Sequence, residues 1–289
     1  MTDKIVVTVL VENTAFGRGV LAEHGLSFWI ESKDRRILFD TGQTPEILEA
    51  NARHMGIDLS AADAVVLSHG HDDHTGGLDR ILDLTGAAHI FIHPRALERK
   101  FSRAKTGDVT EIGIPRVHDT DSLQRRGASV TWTREATALG GGFWVTGAIP
   151  RATDFEDTGG AFFLDGDCAH PDPIEDDQAI YFDSDEGTVV LLGCAHAGLI
   201  NTLSFIGSKT DGRPFAAVMG GMHLLAASQE RMAETVKAVS DWGIGLLAPM
   251  HCTGARAQAR FATEFPEAWE PTHVGSQFEF LRSGNPTPA

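Results

Sequence analysis

The sequence has three cysteines in 289 residues, no apolar run near the length of a membrane span, and too few lysines and arginines to balance its acids. Each shortage excludes something. Cys168, Cys194 and Cys252 form an odd set without framework spacing, so a disulfide scaffold is excluded and at least one thiol lacks a partner within the chain. A spanning helix needs about 20 predominantly apolar residues in a row, and the chain offers none. Met1-Thr2-Asp3-Lys4-Ile5 runs straight into strand-like sequence with no apolar signal core, so the expected location is cytoplasmic. Against 24 Lys and Arg stand 40 Asp and Glu, a formal net charge of -16. No nucleic-acid partner is expected, because phosphate binding needs a basic surface.

Core material is plentiful: 42% of residues are hydrophobic, ample for a buried interior at this length. Short β-branched or aromatic runs bounded by Gly, Asp or Asn predict strands at Ile5–Val11, Ser27–Ile30, Arg36–Phe39, Ala64–Leu67, His89–Ile92, Ser129–Thr133 and Phe143–Thr146. Further strands are expected at Ala179–Asp183, Thr188–Leu192, Phe215–Met219 and Gly245–Ala248. Helical spacing predicts helices at Pro45–Met55, Gly77–Leu84, Pro94 to about Arg103, Gly198–Ile206, Ser228–Trp242 and Ala255–Phe265. Lys105–Leu123 reads as loop, and Arg151–Gln178, rich in Asp, Glu, Gly and Pro, as a long excursion. This order suits two sheets packed face to face with helices outside; a single doubly wound sheet fits it as well.

The chemistry concentrates where one strand stops. The apolar run Ala64-Val65-Val66-Leu67 is followed at once by Ser68-His69-Gly70-His71-Asp72-Asp73-His74. Side chains alternate in extended chain, so His69, His71 and Asp73 share a side, and the nearby glycines allow the loop to bring His74 around. Imidazole nitrogen and carboxylate oxygen together suit zinc, iron or manganese. A lone histidine is more often a solvated side chain; three with two carboxylates in six residues point to a metal.

The pattern His-x-His-x-Asp-His after an apolar strand resembles the signature of the metallo-β-lactamase superfamily. That resemblance implies an α/β fold, an αββα sandwich of two mixed sheets with helices on the outer faces. It would form one domain over residues 1–289, with the excursion at 151–178. It also implies a metal site, most often of two zinc ions, at one edge of the sheets. His69 and His71 would bind the first ion, and Asp73 and His74 the second, with Asp73 also orienting the nucleophile. Asp40, in Phe39-Asp40-Thr41-Gly42, matches the family's supporting carboxylate, which orients a ligand or its loop. His251 matches the last histidine of the family and would serve the second metal.

Between these the pattern departs. The strand end Gly-Asp that usually supplies a bridging carboxylate stands here as Gly193-Cys194. Either Cys194 takes the ligand place as a thiolate, or it is a small buried residue beside His196 as the ligand. His223 fits a ligand, a substrate contact or a structural residue. Arg151, near Trp144 and the acidic loop, either shapes the pocket or pairs structurally. His118 and His170 read as solvated, and His24, His54, His89, His93 and His273 carry no metal pattern.

The segments around Thr146-Gly147, Asp176-Asp177-Gln178, Gly193-Cys194-Ala195-His196, Gly220-Gly221-Met222-His223 and Met250-His251-Cys252-Thr253 resemble one subgroup more closely. Its members are labelled dihydropterin-ribofuranosylaminobenzene phosphate synthases, of methanopterin-type metabolism. The superfamily resemblance implies a metallohydrolase of a small ester, lactone or phosphoester. The subgroup implies a rival, a synthase displacing pyrophosphate from a pterin-methyl diphosphate. Iron-dependent redox chemistry and a non-catalytic metal-binding sensor are the remaining alternatives. No membrane partner is expected.

Overall fold

A computed structural model describes residues 2–86, 89–115, 120–125 and 128–283; His118 lies outside the described residues. The first half runs β1 (Thr2–Val11), β2 (Ser27–Glu31), β3 (Arg36–Phe39), α1 (Pro45–His54), β4 (Ala64–Val66), α2 (Asp72–Thr75) and α3 (Leu78–Thr85). It continues through β5 (His89–Ile92), β6 (Phe101–Arg103), β7 (Val109–Glu111), α4 (Thr120–Arg125) and β8 (Ser129–Trp132). The second half begins with β9 (Thr137–Gly140), β10 (Phe143–Val145), β11 (Phe162–Phe163), β12 (Ala179–Ser184), β13 (Gly187–Leu192) and α5 (Leu199–Lys209). It ends with β14 (Phe215–Gly221), α6 (Gln229–Trp242), β15 (Leu246–Met250), α7 (Ala255–Glu264) and β16 (Gln277–Ser283).

Seven strands form one sheet in the order β16-β1-β2-β3-β4-β5-β8, and six form another in the order β15-β14-β13-β12-β10-β9. Both are mixed: β3, β4, β5 and β8 run parallel, as do β13, β14 and β15, while the remaining neighbours pair antiparallel. Apolar side chains on alternate positions explain why the sheets stack. Ile37, Phe39 and Val66 of the first sheet join Val189, Leu191 and Met219 of the second in the central layer. Their neighbours Leu38 and Val65 face the other way, onto Leu48 of α1 and Ile81 of α3. Likewise Val190, Leu192 and Val218 face Leu203 of α5, Val239 of α6 and Phe261 of α7. The result is helix, sheet, sheet, helix, and central strands such as β3, β4, β13 and β14 are apolar on both faces because both are covered. Burying a Phe or Leu side chain contributes roughly 1.5–3 kcal/mol, so these three layers supply most of the driving force.

Local signals set several boundaries. Pro45 opens α1, where its missing N–H costs nothing, and Ser228 caps α6 by accepting the N–H of Arg231. Elsewhere the sequence expectations need correction. The helix expected from Pro94 to Arg103 is one 3-10 turn, Pro94–Leu97, followed by β6, because Lys100 is drawn inward by buried carboxylates. The loop expected over Lys105–Leu123 contains β7 and the start of α4. With β6 and the two-residue β11, β7 makes a small third sheet, so the 151–178 excursion carries a strand of its own. Strands β9 and β16 were also not expected; β16 alternates buried and exposed along its length and pairs with β1.

The fold gathers several strand ends at one place. β3 leads into Asp40, β4 into Ser68–His74, β13 into Cys194 and His196, β14 into His223, and β15 into His251. Asp40, Ala195, His223 and His251 all adopt positive φ, between 44° and 60°. Such backbone costs about 1 kcal/mol or more for a residue with a Cβ, and it clusters where function fixes a side chain.

Candidate metal centre

Asp40 organises the first half of the site. Its Oδ1 accepts the backbone N–H of Ser68 at 2.7 Å; its Oδ2 accepts the Ser68 hydroxyl and the His74 Nδ1–H, each at 2.7 Å. The Ser68 oxygen in turn lies 2.9 Å from His69 Nδ1. With both Nδ1 atoms engaged, His74 and His69 each direct a lone pair on Nε2 into the site. Asp40 thus touches both Ser68 and His74 from the end of β3.

His74 Nε2 lies 3.1 Å from Cys194 Sγ, 3.2 Å from His251 Nε2 and 3.8 Å from Asp73 Oδ2. His251 Nε2 is 3.2 Å from the same Asp73 oxygen. His251 is aimed from behind, since its Nδ1 meets Asn13 Oδ1 at 2.9 Å and its backbone N–H donates to Glu12 Oε1 at 2.8 Å. Two ligands of one tetrahedral zinc, bound at about 2.0–2.3 Å, stand roughly 3.3–3.8 Å apart. The observed separations, 3.1 to 3.8 Å, come within a few tenths of an ångström of that spacing.

A second group adjoins the first. His69 Nε2 lies 2.9 Å from His71 Nδ1, and the His196 ring sits 4.8 Å and 4.9 Å from the His69 and His71 rings. The His196 Nδ1 is bonded to the Thr158 carbonyl at 2.8 Å, leaving its Nε2 buried without a partner; His71 Nε2 is buried without one too. Buried imidazole nitrogens are normally paired, so unpaired ones on two neighbouring rings fit a cation. Cys194 belongs to both groups: its Sγ comes within 4.8 Å of the ligand atoms of His69 and His196, and of those of His74 and His251. Sequence left Cys194 and His196 as alternatives; the structure brings both into the cluster.

The charges agree with this donor set. Burial holds the protonated forms of His69 and His196 well below the ordinary imidazole range and takes His71 down to about 3. Burial opposes charge on His74 as well, but Asp73 and Asp40 outweigh it and push that imidazole up to about 9. Burial would raise Asp73, yet His74, His24 and His251 around it hold its carboxyl well below the usual range. Neutral imidazoles and an ionised carboxylate are the forms that bind metal.

The remaining residues fall partly as expected and partly not. His24, which carried no metal pattern, places Nε2 3.2 Å from Asp73 Oδ2 and its ring 5.0 Å from that of His251. No local signal marks it, because a lone loop histidine reads alike whether or not the fold returns it to the site. The Arg151 guanidinium donates to the carbonyls of His196 and Pro173, at 2.7 Å and 2.6 Å, and so straps the excursion to the ligand loop. Trp144 stacks with Tyr181 and packs in the layer under α5 and α6, away from the donors. His170 is exposed and paired with Asp165, as a solvated residue should be.

The excursion roofs the centre. Phe162 of β11 has its ring 5.0 Å from His71 and 5.2 Å from His196. Beneath it, Lys100 Nζ donates to Asp172 at 2.8 Å and Asp176 at 2.9 Å, and the other Asp176 oxygen accepts the Gly70 N–H at 2.8 Å. All three of these side chains are buried. A Cβ on Gly70 would lie 2.3 Å from the Ala96 carbonyl oxygen, so the loop between His69 and His71 passes where only glycine fits. Asp177 accepts the Ala197 N–H at 2.8 Å, but its Oδ1 is buried and unpaired, and burial pushes its carboxyl up to about 7.

The family model of the metallo-β-lactamase superfamily matches residues 21–202. The chain is 30% identical over 288 residues to the 7,8-dihydropterin-6-methyl-4-(β-D-ribofuranosyl)-aminobenzene-5'-phosphate synthase of Methanocaldococcus jannaschii, covering 96% of this chain and 97% of that protein. The crystal structure of Tm1679, a metal-dependent hydrolase of the β-lactamase superfamily, matches with a TM-score of 0.80 at 30% identity, over 95% of this chain and 98% of that one. A diphosphatase of the PhnP family shares the fold, with a TM-score of 0.58 at 16% identity over 98% of this chain and 99% of that one.

Proposed function

Because this chain belongs to the metallo-β-lactamase superfamily and is an enzyme of it, we propose that it is a metal-dependent hydrolase of a small ester, lactone or phosphoester. The observation that carries this reading is the meeting of His74 Nε2, His251 Nε2, Cys194 Sγ and Asp73 Oδ2 at single-ion spacing. His69, His71 and His196 would hold one zinc, and Asp73, His74 and His251 a second, with Cys194 between them; iron or manganese suits the nitrogen and carboxylate donors as well. When bound, such ions supply Lewis acidity and lower the pKa of water toward 7. The chain does the rest. Asp40 and Ser68 keep His74 and His69 in their ligand tautomers, and Asp73 accepts a hydrogen bond from the attacking water and so aims it. Phe162 excludes bulk solvent from the His71 and His196 side.

The test is elemental analysis of the purified protein with its His69→Ala and His251→Ala variants. Each variant should lose metal, and full metal content in both would overturn the assignment. A panel of ester, lactone and phosphodiester substrates then identifies the class. A second reading has its own support, the identity to a named synthase across nearly the whole chain. It is condensation of a pterin-methyl diphosphate with an aminobenzene acceptor. Pyrophosphate released only when acceptor is present favours the synthase; release of product by water alone favours the hydrolase.

A further inference from the structure

Cys252 and His223 have no place in the two-ion scheme, yet both lie against it. The ligand atoms of Cys194, His223 and Cys252 are all within 4.8 Å of one another. Cys252 Sγ lies 3.7 Å from the Cys194 carbonyl oxygen and accepts the His223 N–H at 3.3 Å. A buried cysteine is often no more than a small apolar filler. Three features around it do not fit a filler. His223 is held at φ 44°, a conformation a residue with a Cβ adopts only under constraint. Its Nδ1 is buried and has no partner. The third is Gly221, where a Cβ would lie 2.7 Å from Cys252 Sγ as well as 2.4 Å from the Gly193 carbonyl oxygen, so the sulfur packs against bare backbone.

From this we infer that Cys194, His223 and Cys252 form a further, thiolate-rich cation site that takes a thiophilic ion, zinc or copper(I), beside the histidine-built centre. Two thiolates and an imidazole make a soft set of the kind that selects such ions, unlike the carboxylate-containing set around Asp73. On a tetrahedral zinc these donors stand roughly 3.5–3.8 Å apart, so side-chain rotations of about 1 Å close the site. Each thiol that ligates releases one proton, and three protein donors leave the fourth position for solvent or substrate. Cys194 is the common edge, which places the added ion next to the reaction centre. The inference goes beyond the proposed function and does not depend on which substrate is used.

Zinc content after dialysis into zinc-free buffer should fall by about one equivalent in Cys252→Ser relative to the unaltered protein. Cobalt(II) titration gives an independent readout. The near-ultraviolet thiolate-to-cobalt absorption of the unaltered protein should weaken in Cys252→Ser while the bands from the histidine sites remain. His223→Gln serves if the serine variant does not fold, and should lose the same equivalent. Full zinc content and an unchanged cobalt spectrum in the variants overturn the inference. Loss of metal in His69→Ala but not in Cys252→Ser would leave the two-ion reading standing and remove this one alone.

Discussion

Lys100→Met is the most revealing single change, because it replaces a buried ammonium by a side chain of similar length and leaves Asp172 and Asp176 facing each other without it. Removing one partner of a buried ionic group typically costs 3–5 kcal/mol. At about 2.1 cal/mol/K of unfolding entropy per residue, 289 residues give about 0.6 kcal/mol/K, so the midpoint should fall by roughly 5–8 °C at pH 7.5. The pH dependence separates this mechanism from simple loss of packing. Burial opposes ionisation of Asp176, but Lys100 holds its carboxyl below the usual value. Its stabilising contribution is therefore present above the unfolded value of about 3.9 and is lost only as pH falls through the lower folded value. Without Lys100, burial raises that folded value above the unfolded one, so the variant gains stability as pH falls. Thermal melts from pH 8 to pH 5 should show the gap to the unaltered protein narrowing. A gap of constant size, or none, would falsify the argument. Because Asp176 also holds the Gly70 N–H, the variant should lose bound metal more readily to a chelator, and Lys100→Met with Asp176→Asn should regain part of the melting temperature at pH 7.5.

Three further outcomes are expected. Asp40→Asn turns one acceptor oxygen into an amide facing the His74 Nδ1–H and the Ser68 hydroxyl, so chelator competition should show metal affinity down by about 10- to 100-fold. Asp177 has a folded pKa of about 7, raised by burial above an unfolded value near 3.9; its carboxylate therefore weakens the fold increasingly from pH 4 to pH 7. In metal-free protein at pH 8, Asp177→Asn should raise stability by at most about 4 kcal/mol, with no gain at pH 4, as read by urea melts. Gly70→Ala should cost at least about 1–3 kcal/mol and much of the bound metal, since its Cβ meets the Ala96 carbonyl and Lys100 Cε; unchanged metal content would count against the close packing of that loop.

Much of the centre was legible because its residues are crowded into one stretch. His69, His71, Asp73 and His74 sit within six positions behind an apolar strand, and no packing requirement produces that pattern. Cys194, His196 and His251 could be nominated for the same reason, each following an apolar run. What sequence does not encode locally is the return of distant loops. Glu12, Asn13 and His24 lie in ordinary turn-like sequence, and only the pairing of β1 with β2 and β16 brings them beside His251. The misread elements share a cause as well. Strands β6, β7 and β11 have two or three residues each, too short to show a period, and at Lys100 a tertiary ion group overrode helical spacing. Strand β16 was readable in principle, since Phe278, Phe280 and Arg282 are buried between exposed neighbours, but its short alternation falls close to the chain end.

The contact between His74 and His251 joins residues 177 positions apart, and it is closed by a sheet whose parallel strands β13, β14 and β15 arrive in sequence. During synthesis the cluster at 69–74 therefore emerges long before its counterparts exist. A nascent chain carries an incomplete chelator that can trap whatever cation is nearby, and the correct ion can be sealed in only after β15 has formed. Pairing of such remote segments is slow. Maturation of this enzyme is thus expected to be a race between folding and mismetallation, decided by which ions are at hand when residue 251 arrives.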